Sequence, residues 1–124
     1  MKILIVDDDA IVLESCRRVL EAEEIEVSAA ENAHGAEEIL KMDLRFDLIM
    51  TDIKMPGKDG FELLSLVRER FPGTAILMMT GYLIPETIQR GLQGGADGFI
   101  AKPFTPEELM ASVHKTLLSM KGRK

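Results

Sequence analysis

Residues 2–9 read KILIVDDD, an apolar run that ends in three consecutive aspartates. A run of this kind, without polar alternation, is typical of a strand buried on both faces of a parallel sheet. Asp7 and Asp8 would then lie just beyond the carboxyl end of that strand. Ligands of open α/β sheets bind outside the carboxyl ends of the strands, so the sequence places acids where a functional site is expected.

Similar apolar runs recur along the chain and alternate with segments of helical period. We predict strands near 2–6, 25–29, 47–51, 75–79 and 98–101, and helices near 10–22, 33–43, 60–71, 85–94 and 106–120. Alternating strands and helices indicate a parallel sheet with helices on both faces, joined by right-handed crossovers. The predicted fold is a three-layer α/β/α, flavodoxin-like (βα)5 doubly wound parallel sheet with strand order 2-1-3-4-5.

The helix signals agree with this order and single out one weak element. Thr105 and Glu108 have the spacing of a capping box at the start of the fifth helix. The fourth helix contains Gly91 and ends in glycines, and an interior glycine costs about 1 kcal/mol relative to alanine. We expect it to be the least stable helix. In the other helices, apolar spacing predicts these inward residues: Val12, Cys16, Val19, Leu20, Ala36, Ile39, Leu40, Phe61, Leu64, Val67, Phe71, Leu109, Val113, Leu117 and Met120.

The bulk composition is that of one soluble domain. The chain has 124 residues, is 46% hydrophobic and has a net charge of -6. We expect a single domain over residues 1–124, with 121–124 as a flexible tail. The acidic charge argues against direct nucleic-acid binding, which needs clustered basic residues. One cysteine excludes an internal disulfide, and no apolar run approaches the roughly 18 residues of a membrane span, so we expect a cytoplasmic protein.

Acidic residues from two strands should meet at one point of the sheet edge. Asp52 follows the run Leu48 to Thr51, and the predicted strand order makes strands 1 and 3 neighbours. Asp7, Asp8 and Asp52 would then lie side by side, and three carboxylates repel one another unless a cation holds them. Carboxylate oxygens without histidine or cysteine ligands favour Mg²⁺ over zinc, with Mn²⁺ or Ca²⁺ as alternatives.

Two further strand ends add groups that suit phosphoryl chemistry. Thr80 ends the fourth predicted strand and Lys102 follows the fifth. A metal and the Lys102 ammonium can neutralise phosphoryl oxygens, and the Thr80 hydroxyl can donate a hydrogen bond. Asp52 is the best candidate nucleophile, since a carboxylate can form an acyl phosphate.

The chain resembles the receiver domain of two-component response regulators, including the chemotaxis regulators. The resemblance rests on four segments in the family's order, which span almost the whole chain: Ile5 to Asp9, Met50 to Gly57, Met79 to Gly81, and Gly95 to Phe104. Each segment alone is a weak signal, and together they are specific. The resemblance implies a phosphoacceptor signalling switch and not an enzyme, although such a domain promotes its own phosphorylation and dephosphorylation.

The resemblance also implies roles for individual residues. Asp52 resembles the phosphoacceptor. Asp7 and Asp8 resemble the acidic metal-binding pair, with Asp8 as the direct ligand and Asp7 acting through water. The backbone carbonyl of Lys54 resembles the third protein ligand of the metal. Lys102 resembles the family's lysine, preceding the proline of a cis peptide bond.

Further implied roles concern switching and the lifetime of the phosphoryl group. Thr80 and Phe99 match the family's switch hydroxyl and switch aromatic. Lys54 and Tyr82 each lie two residues beyond a site residue, where the family tunes hydrolysis. A bulky Tyr82 would shield the acyl phosphate, so we predict slow self-dephosphorylation.

The implied partners are a histidine kinase or a histidine phosphotransfer protein, and a downstream effector or an attached output domain. The face made by helix 4, strand 5 and helix 5 would change on phosphorylation, and a phosphorylation-dependent homodimer is left open. No membrane partner is expected.

Three other functions are compatible with parts of the sequence. Asp7-Asp8-Asp9 loosely resembles the nucleophile loop of haloacid-dehalogenase-type phosphatases, which need more chain and a distal acidic pair. A flavodoxin-like flavin carrier would need a Ser/Thr/Gly-rich loop after strand 1, where this chain has acids. A receiver-shaped interaction domain that is never phosphorylated is the third alternative.

Some candidate residues have simpler structural explanations. Asp9 has the position of a helix N-cap. Cys16 has no neighbour in sequence that would activate a thiol, so we expect an inert buried side chain. His34 and His114 lie on separate helices without partner ligands, and we expect neither to bind metal.

Overall fold

The computed structural model describes residues 1–42 and 45–121. The elements in chain order are β1 (Lys2–Val6), α1 (Ala10–Ala22), β2 (Glu26–Ala30), α2 (Ala33–Lys41), β3 (Leu48–Asp52), α3 (Gly60–Arg70), β4 (Ala75–Thr80), α4 (Pro85–Gly94), β5 (Gly98–Ala101) and α5 (Pro106–Lys121). The strands form one parallel sheet of order β2-β1-β3-β4-β5, which confirms the predicted topology. The predicted end of the second helix at residue 43 and residues 122–124 of the predicted tail lie outside the described residues.

Three central strands make the inside of the sheet. All residues of β3 and β4 are buried, and so is β1 except at Lys2. This burial on both faces explains the uninterrupted apolar runs in the sequence. Three strands end one residue later than predicted, at Ala30, Asp52 and Thr80. Asp52 pairs with Met79, and Thr80 pairs with Ala101, in the ladder. Those two site residues are therefore held by the sheet itself.

Helices cover both faces of the sheet, and each face has its own core. One core contains buried residues of α1 and α5, and the other contains buried residues of α2 and α3. Leu13 and Leu63 are buried although the predicted faces omitted them, and Val12 and Phe61 are only partly buried. Each pair differs by one or two positions, so the helices are rotated slightly from the predicted orientation.

Four helix starts have side-chain caps, and α4 differs from them. Asp9, Asn32 and Asp59 accept hydrogen bonds from backbone N–H groups of α1, α2 and α3. Thr105 and Glu108 form the predicted reciprocal capping box of α5. Ile84 precedes α4 and makes no side-chain cap, and the other end of α4 is closed by Gly95 at φ 97°.

The end of α4 is linked to α3 through an ion pair. The Arg68 guanidinium lies 2.9 Å from the Asp97 carboxylate, and both side chains are largely buried. Arg68 also donates hydrogen bonds to the carbonyls of Pro72 and Thr74. Asp97 accepts a second hydrogen bond from the backbone of Ile76. These contacts attach the loop after α4 to the amino-terminal end of β4, which is the end of the sheet away from Asp52.

The longest of the described helices is α5, with 16 residues. Within residues 1–42 and 45–121, none is both long enough and apolar enough to cross a membrane.

Candidate functional site

The sheet order brings three carboxylates to one point of its carboxyl edge. β1 and β3 are neighbours, and carboxylate oxygens of Asp7, Asp8 and Asp52 all lie within 4.8 Å of one another. Asp7 is fully buried, Asp52 is 9% exposed, and Asp8 is exposed to solvent. The cluster therefore has a closed inner side and an open outer side, where a ligand from solution can enter.

Lys102 follows the edge strand β5, and its side chain contacts two of the acids. Its Nζ lies 2.6 Å from Oδ2 of Asp7 and 3.3 Å from Oδ2 of Asp52. The backbone N–H of Lys102 donates to the carbonyl of Thr80, which continues the ladder between β4 and β5 past their ends. The Lys102–Pro103 peptide bond is cis. Residues 95 positions apart in sequence thus meet in direct contact.

The buried charges shift the titration of the site. Burial raises the pKa of Asp52 above its ordinary value, and the nearby Asp7 charge raises it further, while Lys102 opposes the change. Burial lowers the pKa of Lys102, but its hydrogen bond to Asp7 and the charges of both acids outweigh this and raise it overall. The site holds more negative charge than one lysine offsets, so an additional cation would stabilise it.

The donor set fits a hard divalent cation. Three carboxylates with no nitrogen or sulfur ligand match the preference of Mg²⁺ for oxygen, and the open side at Asp8 leaves room for water or phosphate oxygens. Asp7 already binds Lys102 and accepts a hydrogen bond from the Asp9 backbone, so its oxygens are more committed than those of Asp8. This difference is compatible with Asp8 as the direct ligand and Asp7 acting through water, which stays a prediction together with the role of the Lys54 carbonyl.

Two side chains from the loops that follow Asp52 and Thr80 contact each other. The Lys54 ammonium is 5.1 Å from the centroid of the Tyr82 ring, within the range of a cation–π contact. Lys54 belongs to the loop after Asp52, and Tyr82 belongs to the loop after Thr80. Both residues were singled out from the sequence, but their contact was not, because it depends on the relative height of two loops.

The proposed switch residues occupy neighbouring positions on β4 and β5. Thr80 is buried, and its Oγ1 accepts a hydrogen bond from the backbone N–H of Tyr82. Phe99 is partly buried and packs against the core between the sheet and α2, α3 and α4. Their switching roles remain predictions.

One residue that supports the site was missed in the sequence. The backbone N–H of Gly60 donates to the carbonyl of Ile53 at 2.7 Å, so α3 begins directly against the end of β3. A Cβ on Gly60 would overlap the carbonyl oxygen of Asp52. The only sequence signal was a glycine between the N-cap Asp59 and an apolar helix face.

Asp9 and Cys16 have the structural surroundings that the sequence predicted for them. Asp9 caps α1, as predicted. Cys16 is 1% exposed, and burial with the Asp7 charge raises the pKa of its thiol to about 11. The metal-ligand group among residues 1–42 and 45–121 includes neither His34 nor His114, and both are exposed.

Comparison with known proteins assigns the family. Residues 3–114 match the family model described as the response regulator receiver domain, so the chain belongs to this family, part of two-component signalling.

Curated relatives and solved structures agree with the assignment. The chain is 40% identical over 118 residues to the transcriptional regulatory protein ResD of Bacillus subtilis, covering 94% of this chain and 48% of ResD. It is 30% identical over 122 residues to the cell cycle response regulator CtrA of Brucella ovis, covering 98% of this chain and 52% of CtrA. The chain thus spans about half the length of these relatives.

Similar solved structures cover their counterparts almost completely. The chemotaxis protein CheY4 of Vibrio cholerae has a TM-score of 0.89 at 34% identity, covering 93% of this chain and 97% of that one. A CheY-like receiver domain protein of Methanospirillum hungatei has a TM-score of 0.90 at 35% identity, covering 99% and 98%.

Proposed function

We propose that this chain is a phosphoacceptor switch in which Asp52 receives a phosphoryl group from a phosphohistidine. The observation that carries the proposal is the contact of Lys102 with both Asp7 and Asp52 beside the open carboxylate of Asp8. A nucleophile, a fixed cation and a cation-binding acid pair are thereby held within one pocket. Phosphoryl transfer depends mainly on such positioning and charge neutralisation.

The transfer is a displacement at phosphorus. A carboxylate oxygen of Asp52 attacks the phosphorus atom and forms an O–P bond, giving an acyl phosphate. The P–N bond to the donor imidazole breaks, and the leaving nitrogen keeps the electron pair. Lys102 places its ammonium against a phosphoryl oxygen, and the Thr80 hydroxyl donates to another. The switch returns to its inactive state by hydrolysis. Water attacks the same phosphorus and releases inorganic phosphate and the Asp52 carboxylate.

The residues that would hold Mg²⁺, or Mn²⁺ in its place, are Asp7, Asp8, Asp52 and the backbone carbonyl of Lys54. When bound, the ion supplies positive charge to the phosphoryl oxygens and to the acid cluster. The chain's own residues supply the nucleophile, its orientation by the Ile53 N–H, and the exclusion of water on the buried side.

Phosphorylation then changes the face made by α4, β5 and α5. The dianion on Asp52 draws Thr80 and Lys102 toward it, and Phe99 adjusts its position below α4. A partner protein, an attached output domain or a second phosphorylated copy reads the altered face. The donor is a histidine kinase or a histidine phosphotransfer protein, and the domain is regulatory and does not turn over an external substrate.

The decisive experiment is incubation with acetyl phosphate and Mg²⁺, followed by intact mass and peptide mapping. We expect one phosphoryl adduct on Asp52 that is absent in Asp52→Asn. Asp9→Asn is the matched control, since Asp9 caps α1 and lies outside the acid cluster, and it should keep the adduct. No mass gain in the wild-type chain, or a gain that persists in Asp52→Asn, would refute the proposal.

Lys54 and Tyr82 are proposed to lengthen the life of the acyl phosphate. Tyr82 is 67% exposed and lies against the Lys54 ammonium, so the pair covers part of the route by which water reaches the pocket. Tyr82→Ala should lose the adduct faster than wild type in a mass-spectrometric time course, and an unchanged rate would count against this role.

A further inference from the structure

The interior glycine of α4 faces the ring of Phe99. Gly91 is the only buried residue of α4, a helix whose ten residues are all described. A methyl carbon at position 91 would lie 2.5 Å from Cζ and 2.6 Å from Cε1 of Phe99. It would also lie 3.4 Å from Sδ of Met78. The aromatic ring therefore rests against bare helix backbone, in a space that we call the Phe99 seat, bounded by Gly91 and Met78.

The register of the sheet places this seat beside the phosphoacceptor pocket. Phe99 pairs with Met78, and Ala101 pairs with Thr80, in the parallel ladder of β4 and β5. Side chains alternate along a strand, so Phe99, Met78 and Thr80 point to the same face of the sheet. Thr80 lies two residues beyond Met78, at the carboxyl edge. The ring is thus one side-chain step from the hydroxyl that would contact a phosphoryl group.

We propose, on the basis of the function proposed above, that Gly91 is a positioning residue for the switch. Its missing side chain creates the Phe99 seat, and the seated ring ties α4 to β5. When phosphorylation at Asp52 moves Thr80, the helix and the strand respond together through this contact. The size of residue 91 thereby sets how strongly the surface of α4 and β5 follows the phosphorylation state.

The position of the glycine within the helix supports a specific role. Glycine weakens a helix interior, so alanine would give a more stable isolated α4. The chain keeps glycine at the position where a side chain would strike an aromatic ring, and the contact could survive such a side chain only if the ring left the seat or α4 moved away from β5. Gly94 offers a contrast within the same helix, because its added carbon would meet Cδ2 of Leu64, the end of a flexible side chain on α3.

The first test follows the ring directly by NMR in the full chain. The sequence has five phenylalanines, so ¹³C-labelled phenylalanine gives few ring signals, and Phe99→Ala assigns the one of interest. Wild type should show a nuclear Overhauser effect between the Phe99 ring and the α-protons of Gly91. Gly94→Ala should retain this contact. In Gly91→Ala this Overhauser effect should be lost, and the chemical shift of the Phe99 ring should move to the value of a solvent-exposed phenylalanine.

The second test adds acetyl phosphate and Mg²⁺. In wild type and Gly94→Ala, phosphorylation should change the population of the seated ring by roughly 5-fold or more, the usual lower range of coupling between sites. In Gly91→Ala the Asp52 adduct should still form, but the ring population and the α4–β5 amide signals should hardly respond. A normal adduct with a wild-type ring response in Gly91→Ala would overturn the proposal. Absence of an adduct in wild type would instead refute the proposed function.

A stability cycle keeps the inference testable if Gly91→Ala folds poorly. Urea unfolding should show that Gly91→Ala destabilises the chain when Phe99 is present. In the Phe99→Ala background, where no ring needs the space, the same substitution should stabilise it. If Gly91→Ala changes the free energy of unfolding in the same direction in both backgrounds, position 91 does not provide the space for Phe99 and the proposal is wrong.

Discussion

Two arms of the molecule reach the same pocket but are held very differently. The β3–α3 arm, residues 48–70, carries Asp52, and its helix is capped by Asp59 and buries Leu63, Leu64 and Val67. The β4–α4 arm, residues 75–94, carries Thr80, and its helix has no side-chain cap and buries only Gly91. Both helices lie on the same face of the sheet. Under the function proposed above, the phosphoacceptor Asp52 lies on the firmly held arm, and the loosely held arm would carry the response.

Burial explains the difference in energy between the arms. Each large apolar side chain taken out of water stabilises its helix by about 1.5–3 kcal/mol. α3 has three such side chains, whereas α4 fully buries no large apolar side chain. Leu92 is 59% exposed, Ile84 just before the helix is 49% exposed, and Ile88 is only partly buried. Elements that move in signalling are drawn from the least stable parts of a fold, which suits α4.

The largest expected effect comes from removing Lys102, the cation that contacts both Asp7 and Asp52, the acid of the firmly held arm. Lys102→Met would leave the buried Asp7 without its partner and increase repulsion with Asp52. We expect a loss of about 3 kcal/mol in the free energy of unfolding, the lower range for breaking a buried ion pair. Urea denaturation with and without Mg²⁺ measures it, and Lys41→Met, at an exposed helix pair, serves as the control. Equal stability of wild type and Lys102→Met without Mg²⁺ would show that the pair contributes nothing.

The second prediction compares the two arms directly. Backbone amides of α4 should exchange with solvent on the order of 100-fold faster than those between Leu63 and Val67 in α3, because α4 opens without exposing a core. Native-state hydrogen exchange by NMR measures both helices in one sample. Equal protection of the two helices would remove the basis of the comparison.

The third prediction concerns the charge of Asp52. Its folded pKa is raised above the ordinary value of 3.8, mainly by burial. A raised carboxyl pKa contributes stability at low pH that is lost as the pH rises through the folded pKa. Asp52→Asn should therefore be more stable than wild type at neutral pH without Mg²⁺, where the wild-type carboxyl group is charged. The difference should vanish below about pH 4 and shrink when Mg²⁺ is added. A constant difference at all pH values would contradict this cause.

The fourth prediction exchanges the caps of the two helices. Asp59→Ala removes the hydrogen bond that Asp59 accepts from the Glu62 N–H and should cost about 1 kcal/mol. Ile84→Ser supplies the cap that α4 lacks and should slow hydrogen exchange in α4 severalfold. If Ile84→Ser leaves exchange in α4 unchanged, the missing cap does not explain the weakness of this helix.

The smallest effect tests the contact of Lys54 with Tyr82, which joins the loops after β3 and β4. Exposed cation–π pairs contribute about 0.5–1 kcal/mol. In a double-mutant cycle of Lys54→Met and Tyr82→Leu, the coupling energy for unfolding should fall in that range. A coupling of zero would mean that the two residues act on the pocket independently.

The sequence predicted the parts of this structure that depend on topology alone. Asp7, Asp8, Asp52 and Lys102 converge because they end strands of one parallel sheet, and any arrangement of side chains would keep them near each other. The caps of α1 and α5 were equally predictable, since a cap involves only residues close together in sequence.

What the sequence did not predict depends on how elements pack. Whether Val12 or Leu13 faces the core is decided by a small rotation of α1 against the sheet, which apolar spacing does not resolve. The contact of Lys54 with Tyr82 joins two loops that are far apart in sequence, and the approach of Gly91 to Phe99 depends on how α4 packs on the strand that follows it. Glycine was interpreted only as a weakness of α4, because a space for another side chain leaves no mark in the local pattern.

The Arg68–Asp97 pair fixes where α4 can pivot. It fastens the chain just after Gly95, while the opposite end begins at Pro85 without a side-chain cap. A helix that is attached at one end can move most at the end farthest from the attachment. The first turn of α4, which follows directly from the loop at Thr80, is therefore where a small shift becomes the largest displacement.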